Sequence, residues 1–144
     1  MSVPNRAWIL LAVALGGALG TVARYELALA EPVGSGRFPW ATFVANVVGS
    51  LILGVALATL LDPSPAARVL RPFVAVGFCG GLTTFSTWMV ESMLLMRAGD
   101  TAVAVVYLIV SLGAGLAAVG AAVLLTRRTM RRAGAFAFDP ELDD

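Results

Sequence analysis

The twelve residues Gly77-Phe78-Cys79-Gly80-Gly81-Leu82-Thr83-Thr84-Phe85-Ser86-Thr87-Trp88 set three glycines and four hydroxyls inside an uncharged stretch of membrane length. Paired glycines and clustered Ser/Thr weaken a helix. In lipid, a weakened helix frees backbone groups that only protein, an ion or a wet cavity can satisfy. The segment therefore reads as a site rather than an anchor. Asn46 lies near the middle of another apolar stretch, with Thr42 and Ser50 four residues to either side, giving one polar stripe on one helix face. Its amide NH2 can donate to an anion. Equally, Asn46 can be interhelical hydrogen-bond glue, with Thr42 and Ser50 bonding back to their own helix. Tyr107 and Ser111, at i and i+4, form a second stripe that Gly115 continues without a polar group, although Tyr107 taken alone also suits an interfacial anchor. Phe85 and Trp88 follow the hydroxyl run at i and i+3. An aromatic ring offers an anion its positive edge without the tight hold of Arg or Lys. Glu91 follows near the end of the segment, and no Arg or Lys is embedded at this depth. Neutral donors and ring edges suit the passage of an anion better than its storage.

The elements that must position these groups are membrane helices. Hydrophobic residues make up 59% of 144, charged residues 13%, and mean hydropathy is +0.89, more apolar surface than a water-soluble domain of this size can hide. Four uncharged segments follow: Ala7 to Ala23, Phe38 to Leu61, Pro72 to Val90 and Thr101 to Thr126. Each is long enough to cross a bilayer as a helix, the last with tilt or emergence. The expected fold is an all-α, multi-pass integral membrane protein of the cell's inner (plasma) membrane. Its single four-helix domain spans residues 1–132, the third helix is broken near its centre, and residues 133–144 form a polar, disordered tail. The connectors are Glu31-Pro32-Val33-Gly34-Ser35-Gly36, then Asp62-Pro63-Ser64-Pro65 with a helical turn over Ala66 to Arg71, and the tight Arg97-Ala98-Gly99-Asp100. Arg6, the apolar run and Ala28-Leu29-Ala30 imitate a signal peptide. The run is longer and richer in glycine than such a core, and Arg24, Tyr25 and Glu26 look like an interfacial helix end, so the segment reads as a retained helix.

Small residues supply packing. Gly16, Gly17 and Gly20 give helix one a thin face, Gly49 and Gly54 thin helix two, and Gly113, Ala117 and Ala121 form a stripe on helix four. Four thin helices have little interior of their own, which favours an oligomer that encloses a pore. Cys79 is the sole cysteine and there is no His, which leaves no disulfide or ordinary transition-metal site within one subunit. A net charge of +1, with every base an Arg, gives no nucleic-acid footprint, and no catalytic constellation marks an enzyme.

At these positions the chain resembles the Fluc/CrcB family of fluoride channels. The resemblance rests on Gly16-Gly17-x-x-Gly20-x-x-x-Arg24-Tyr25, on Thr42-x-x-x-Asn46-x-x-Gly49-Ser50 and, most specifically, on Gly77 to Thr87. It implies a dimer of inverted subunits in membrane lipid, with two narrow fluoride pores between them and a structural sodium ion at the centre. By position it implies Asn46 as a hydrogen-bond donor to fluoride and Phe85 as a ring edge lining the pore. Tyr107 and Ser111 become a polar track and Arg24 a residue near the pore entrance, while the backbone carbonyls of Gly80 and Thr83 become sodium ligands. Thr84, Ser86 and Thr87 join the pathway as hydroxyls of the same run. Trp88 departs from the family pattern, which has a second phenylalanine there, and Gly115 removes a hydroxyl from the track. The implied activity is passive export of fluoride that enters a cell as the neutral acid and is trapped as the anion.

Two other classes fit the size. A small four-helix proton-coupled drug exporter needs a carboxylate deep in helix one, where this chain has none before Glu26. A non-transporting tetraspan scaffold would explain the glycines but not the Thr/Ser/Phe/Asn set. For orientation, Arg6, Arg68, Arg71 and the four tail arginines lie on one side and Arg24, Arg37 and Arg97 on the other. Setting the tail aside balances the sides and predicts dual topology with a homodimer. Counting it puts the termini inside and calls for a separate, inverted partner subunit.

Overall fold

The computed structural model describes residues 6–31, 37–60 and 65–132. The predicted linker over 32–36, the stop at 62–64 and the tail over 133–144 lie outside these residues. All regular elements among the described residues are helical: α1 (Arg6–Ala30), α2 (Trp40–Thr59), α3 (Pro65–Arg71), a π-helical segment (Pro72–Phe78), α4 (Cys79–Leu82), α5 (Phe85–Arg97) and α6 (Thr101–Arg132). Four stretches are long and apolar enough to cross a membrane: Arg6–Ala30, Trp40–Thr59, Ala66–Arg97 and Thr101–Arg132. The chain is a multi-pass membrane protein. Three spans are longer than their apolar cores suggest, the fourth running past Thr126 to Arg132. The first continues through Arg24, Tyr25 and Glu26 to Ala30 instead of ending near Ala23, because an Arg side chain can reach a polar partner without leaving the helix. The third takes in the turn at Pro65–Arg71 as its first part.

That third span changes conformation where its sequence changes. Pro72 has no N–H and crowds the carbonyl of Arg68, and the widened π turn over Pro72–Phe78 accommodates it without ending the helix. After α4, Thr83 (φ −82°, ψ 157°) and Thr84 (φ −151°, ψ 126°) are extended, and α5 starts at Phe85 with the Thr84 hydroxyl capping the Thr87 amide. At the far end Gly99, with φ +91°, makes the tight turn into α6 that the Arg97–Asp100 connector predicts.

Packing follows the glycines in two of three cases. A Cβ on Gly16 or Gly20 of α1 would strike the backbone at Phe73 or Phe78. One on Gly77 would meet Val13 O at 2.6 Å, so α1 and the π segment touch backbone to backbone. Helix α2 lies along α6, with Gly54 against Val119 and Ala122. The predicted stripe Gly113, Ala117, Ala121 is exposed instead. The buried face of α6 is Ala104, Tyr107, Ser111, Ala118 and Ala122, set by the groups α2 and α5 present to it. At one end of the bundle Phe38, Phe43, Trp88, Leu95, Val103 and Tyr107 form an apolar cluster, with Phe38 edge-on to Tyr107 at 5.1 Å between ring centres.

Candidate functional site

The extended pair Thr83–Thr84 redistributes backbone hydrogen bonds among the spans. In a continuous helix the Thr84 N–H would bond the Gly80 carbonyl; here it donates to Asn46 Oδ1 at 2.8 Å. Asn46 Nδ2 returns a bond to the Thr84 carbonyl at 3.1 Å, so one side chain of α2 satisfies both backbone groups of a residue in another span. The Thr87 N–H, which would serve the Thr83 carbonyl, bonds Thr84 Oγ1 instead, and Arg24 Nε donates to the Gly81 carbonyl at 3.1 Å. Gly80 and Thr83 are thereby left with carbonyls whose helical donors are engaged elsewhere. Gly80 is exposed, with no atom within 4 Å of where a Cβ would stand. Asn46 is thus interhelical glue in the sense the sequence allowed, yet the amide carries two hydrogens and this bond uses one.

Most of the predicted residues fall into two groups around two cavities. An open groove of about 410 Å³ is walled by Asn46, Ser50, Gly80, Thr83, Thr84, Phe85, Trp88, Ser111 and Gly115, with Leu112, Leu116 and other apolar side chains between them. Phe85 is 71% exposed and edge-on to Trp88, ring centres 5.4 Å apart. Trp88 Nε1 and Ser111 Oγ are buried atoms with no hydrogen-bond partner among the described residues, and both residues border this groove. The second cavity, of about 70 Å³, is lined by Arg24, Ala28, Glu31, Ala41, Thr42, Thr87 and Glu91. Between the two runs a hydroxyl relay: Thr84 Oγ1 donates to Thr87 Oγ1 at 3.0 Å.

Tyr107 borders neither cavity. Its ring is fully buried and its hydroxyl donates to Glu91 Oε2 at 2.7 Å, while Thr42 Oγ1 donates to Glu91 Oε1 at 2.9 Å. Ser86 is exposed outside both, its hydroxyl 3.4 Å from that of Thr84. Sequence reasoning saw Thr42 only as part of a stripe and Glu91 only as an acid near a helix end. The signal that joins them to the site is the Thr87–Glu91 i, i+4 spacing, which turns Glu91 to the face that Thr87 presents. No set of three or more His, Cys, Asp or Glu side chains converges among the described residues.

Four apolar spans with a groove of neutral donors and aromatic edges define a small multi-pass membrane protein. Residues 11–123 match the family model described as CrcB-like protein, Camphor Resistance (CrcB), and the chain belongs to the CrcB family. It is 47% identical over 127 residues to a Streptomyces avermitilis protein named Fluoride-specific ion channel FluC 3, covering 88% of this chain and 62%, under two thirds, of that protein. A Mycobacterium bovis protein, Fluoride-specific ion channel FluC 1, is 42% identical over 85% of this chain and 93% of its own. Fluoride-specific ion channel FluC of Saccharophagus degradans is 39% identical over 88% and 96%.

Proposed function

We propose that this protein is a fluoride-selective channel giving passive export of the anion, and that it works as an inverted dimer. The observation that carries the reading is the groove. Its polar contribution comes from an amide, hydroxyls and an indole N–H, and no Arg or Lys among the described residues lines it. Fluoride holds its water tightly. Leaving it requires several donors at once, while a fixed cation would bind the ion too well to release it. Asn46 retains one amide hydrogen, Trp88 and Ser111 hold unpartnered polar atoms, and α5 begins at the groove wall, where the Phe85 and Ser86 amides have no intrahelical acceptor. The names of the three relatives support the same assignment.

The groove is open along one side, with Phe85 projecting from it, and a second copy would close it into a narrow passage. The third span is read as one helix broken at Thr83–Thr84. The Gly80 and Thr83 carbonyls, freed of their helical donors, are the hard oxygen ligands an alkali cation takes at unwound membrane helices. They fit sodium, contributed from both subunits. Bound there, the ion would neutralise converging carbonyl dipoles and fix the two copies together. Arg24, tied to Gly81, would set the potential at the entrance from the smaller cavity.

Purified protein in liposomes tests the reading. Fluoride efflux followed by an ion-selective electrode is expected to be fast, with chloride efflux at the background of empty vesicles. Equal flux of the two halides, or none of either, would overturn it.

A further inference from the structure

Ser50 lines the groove and has no part in the reading above. Thr59, Thr83 and Ser92 each donate to the carbonyl four residues earlier, the usual fate of a hydroxyl in an apolar helix. Ser50 makes no such bond and its hydroxyl has no hydrogen-bond partner among the described residues. Its side chain borders the groove and stands opposite Gly115. A Cβ built on Gly115 would lie 3.5 Å from Ser50 Oγ, which is ordinary contact. Gly115 is the next position after Tyr107 and Ser111 on the polar face of α6, and the place where that face lacks a side chain. The hydroxyl of Ser50 stands beside the place where a side chain at 115 would begin. Asn46, one turn before Ser50, places the same α2 face against Thr84.

We infer that Ser50 is an ion-coordinating residue of the pathway. It supplies from α2 the donor that α6 omits at Gly115, so the donor series along the groove runs Asn46, Ser111, Ser50 across two helices. A hydroxyl rotates to donate to an anion passing below Ser111, and the missing Cβ at 115 gives it room to do so. The inference rests on the fluoride-channel reading and adds a residue to its path.

The test is an exchange of the hydroxyl between helices, read as fluoride efflux from liposomes, with size-exclusion profiles establishing that each variant is assembled. Ser50→Ala is expected to slow efflux about tenfold, the scale of one hydrogen bond to a charged group. Ser50→Thr, which keeps the hydroxyl, is expected to stay near wild type. Adding Gly115→Ser to Ser50→Ala is expected to recover most of the loss, since a serine fits the space at 115 and returns a hydroxyl to the same level of the groove. Adding Gly115→Ala instead restores bulk alone and is expected to recover nothing. Wild-type efflux from assembled Ser50→Ala overturns the inference, as does equal recovery by alanine and serine at 115, which would assign Ser50 to packing. Absence of fluoride efflux from the wild-type protein overturns the channel reading and this inference with it, an outcome separate from the others.

Discussion

Asn46 shows how one amide can hold a fold and face an ion. Its carbonyl and one N–H are bonded to Thr84, so Asn46→Asp places a carboxylate against the Thr84 carbonyl as well as against a passing anion. Fluoride efflux is expected to fall to background. The folded protein should also be less stable, by the roughly 1–3 kcal/mol that a lost buried hydrogen bond costs, and so melt earlier. Undiminished efflux would return Asn46 to a purely structural role. Trp88 separates edge from bulk. Its Nε1 has no partner among the described residues, so Trp88→Phe removes a donor but keeps an aromatic edge. Selectivity is expected to survive in Trp88→Phe with efflux equal or faster, whereas Trp88→Ala should lose more; alanine conducting as well as tryptophan would remove position 88 from the path. The residue types here were legible from sequence, but their partners were not. No local pattern tells Asn46 that its acceptor and donor are 38 residues away, or brings Thr42 and Tyr107 to opposite oxygens of Glu91.

At the scale of elements, the apolar runs announced four spans. The spans' ends were less legible, because an apolar window stops at Arg24 and the helix does not. Glycine spacing predicted that helices approach but not which face does so. Gly20 is held against the Phe78 carbonyl, while Gly113 has open space around it. Gly20→Ala is therefore expected to destabilise the protein by about 1–3 kcal/mol through overpacking, seen as a lower melting temperature in detergent. Gly113→Ala should be neutral or stabilising by up to about 1 kcal/mol through helix propensity. A Gly20 variant melting like wild type would mean that α1 is free to move off the third span.

The whole molecule has a groove with one open wall, and a protomer of 14.9 kDa that leaves Phe85 uncovered. Light scattering in detergent is expected to give twice that protein mass, and a strictly monomeric species would leave the groove without a second wall. Orientation can be read through chemistry the chain otherwise lacks. The only native thiol, Cys79, is buried, so Ala98→Cys in the exposed α5–α6 turn gives a single accessible label. With the four tail arginines set aside the two sides balance, and labelling from outside intact cells is then expected to reach about half of the molecules. Labelling of all or none would establish one fixed orientation and the need for an inverted partner made from another chain.

A membrane helix that turns extended for two residues is ordinarily a place to bend. Here both sides of that place are fastened: Gly81 to α1 through Arg24, and Thr84 to α2 through the two bonds of Asn46. Bending would have to break all three together. The amide of Thr84, although outside any helix, should then exchange its hydrogen with solvent as slowly as a helix interior, while the Phe85 and Ser86 amides beside it exchange quickly. Whatever crosses this protein would do so through a frame that stays still, with movement confined to side-chain hydroxyls and rings.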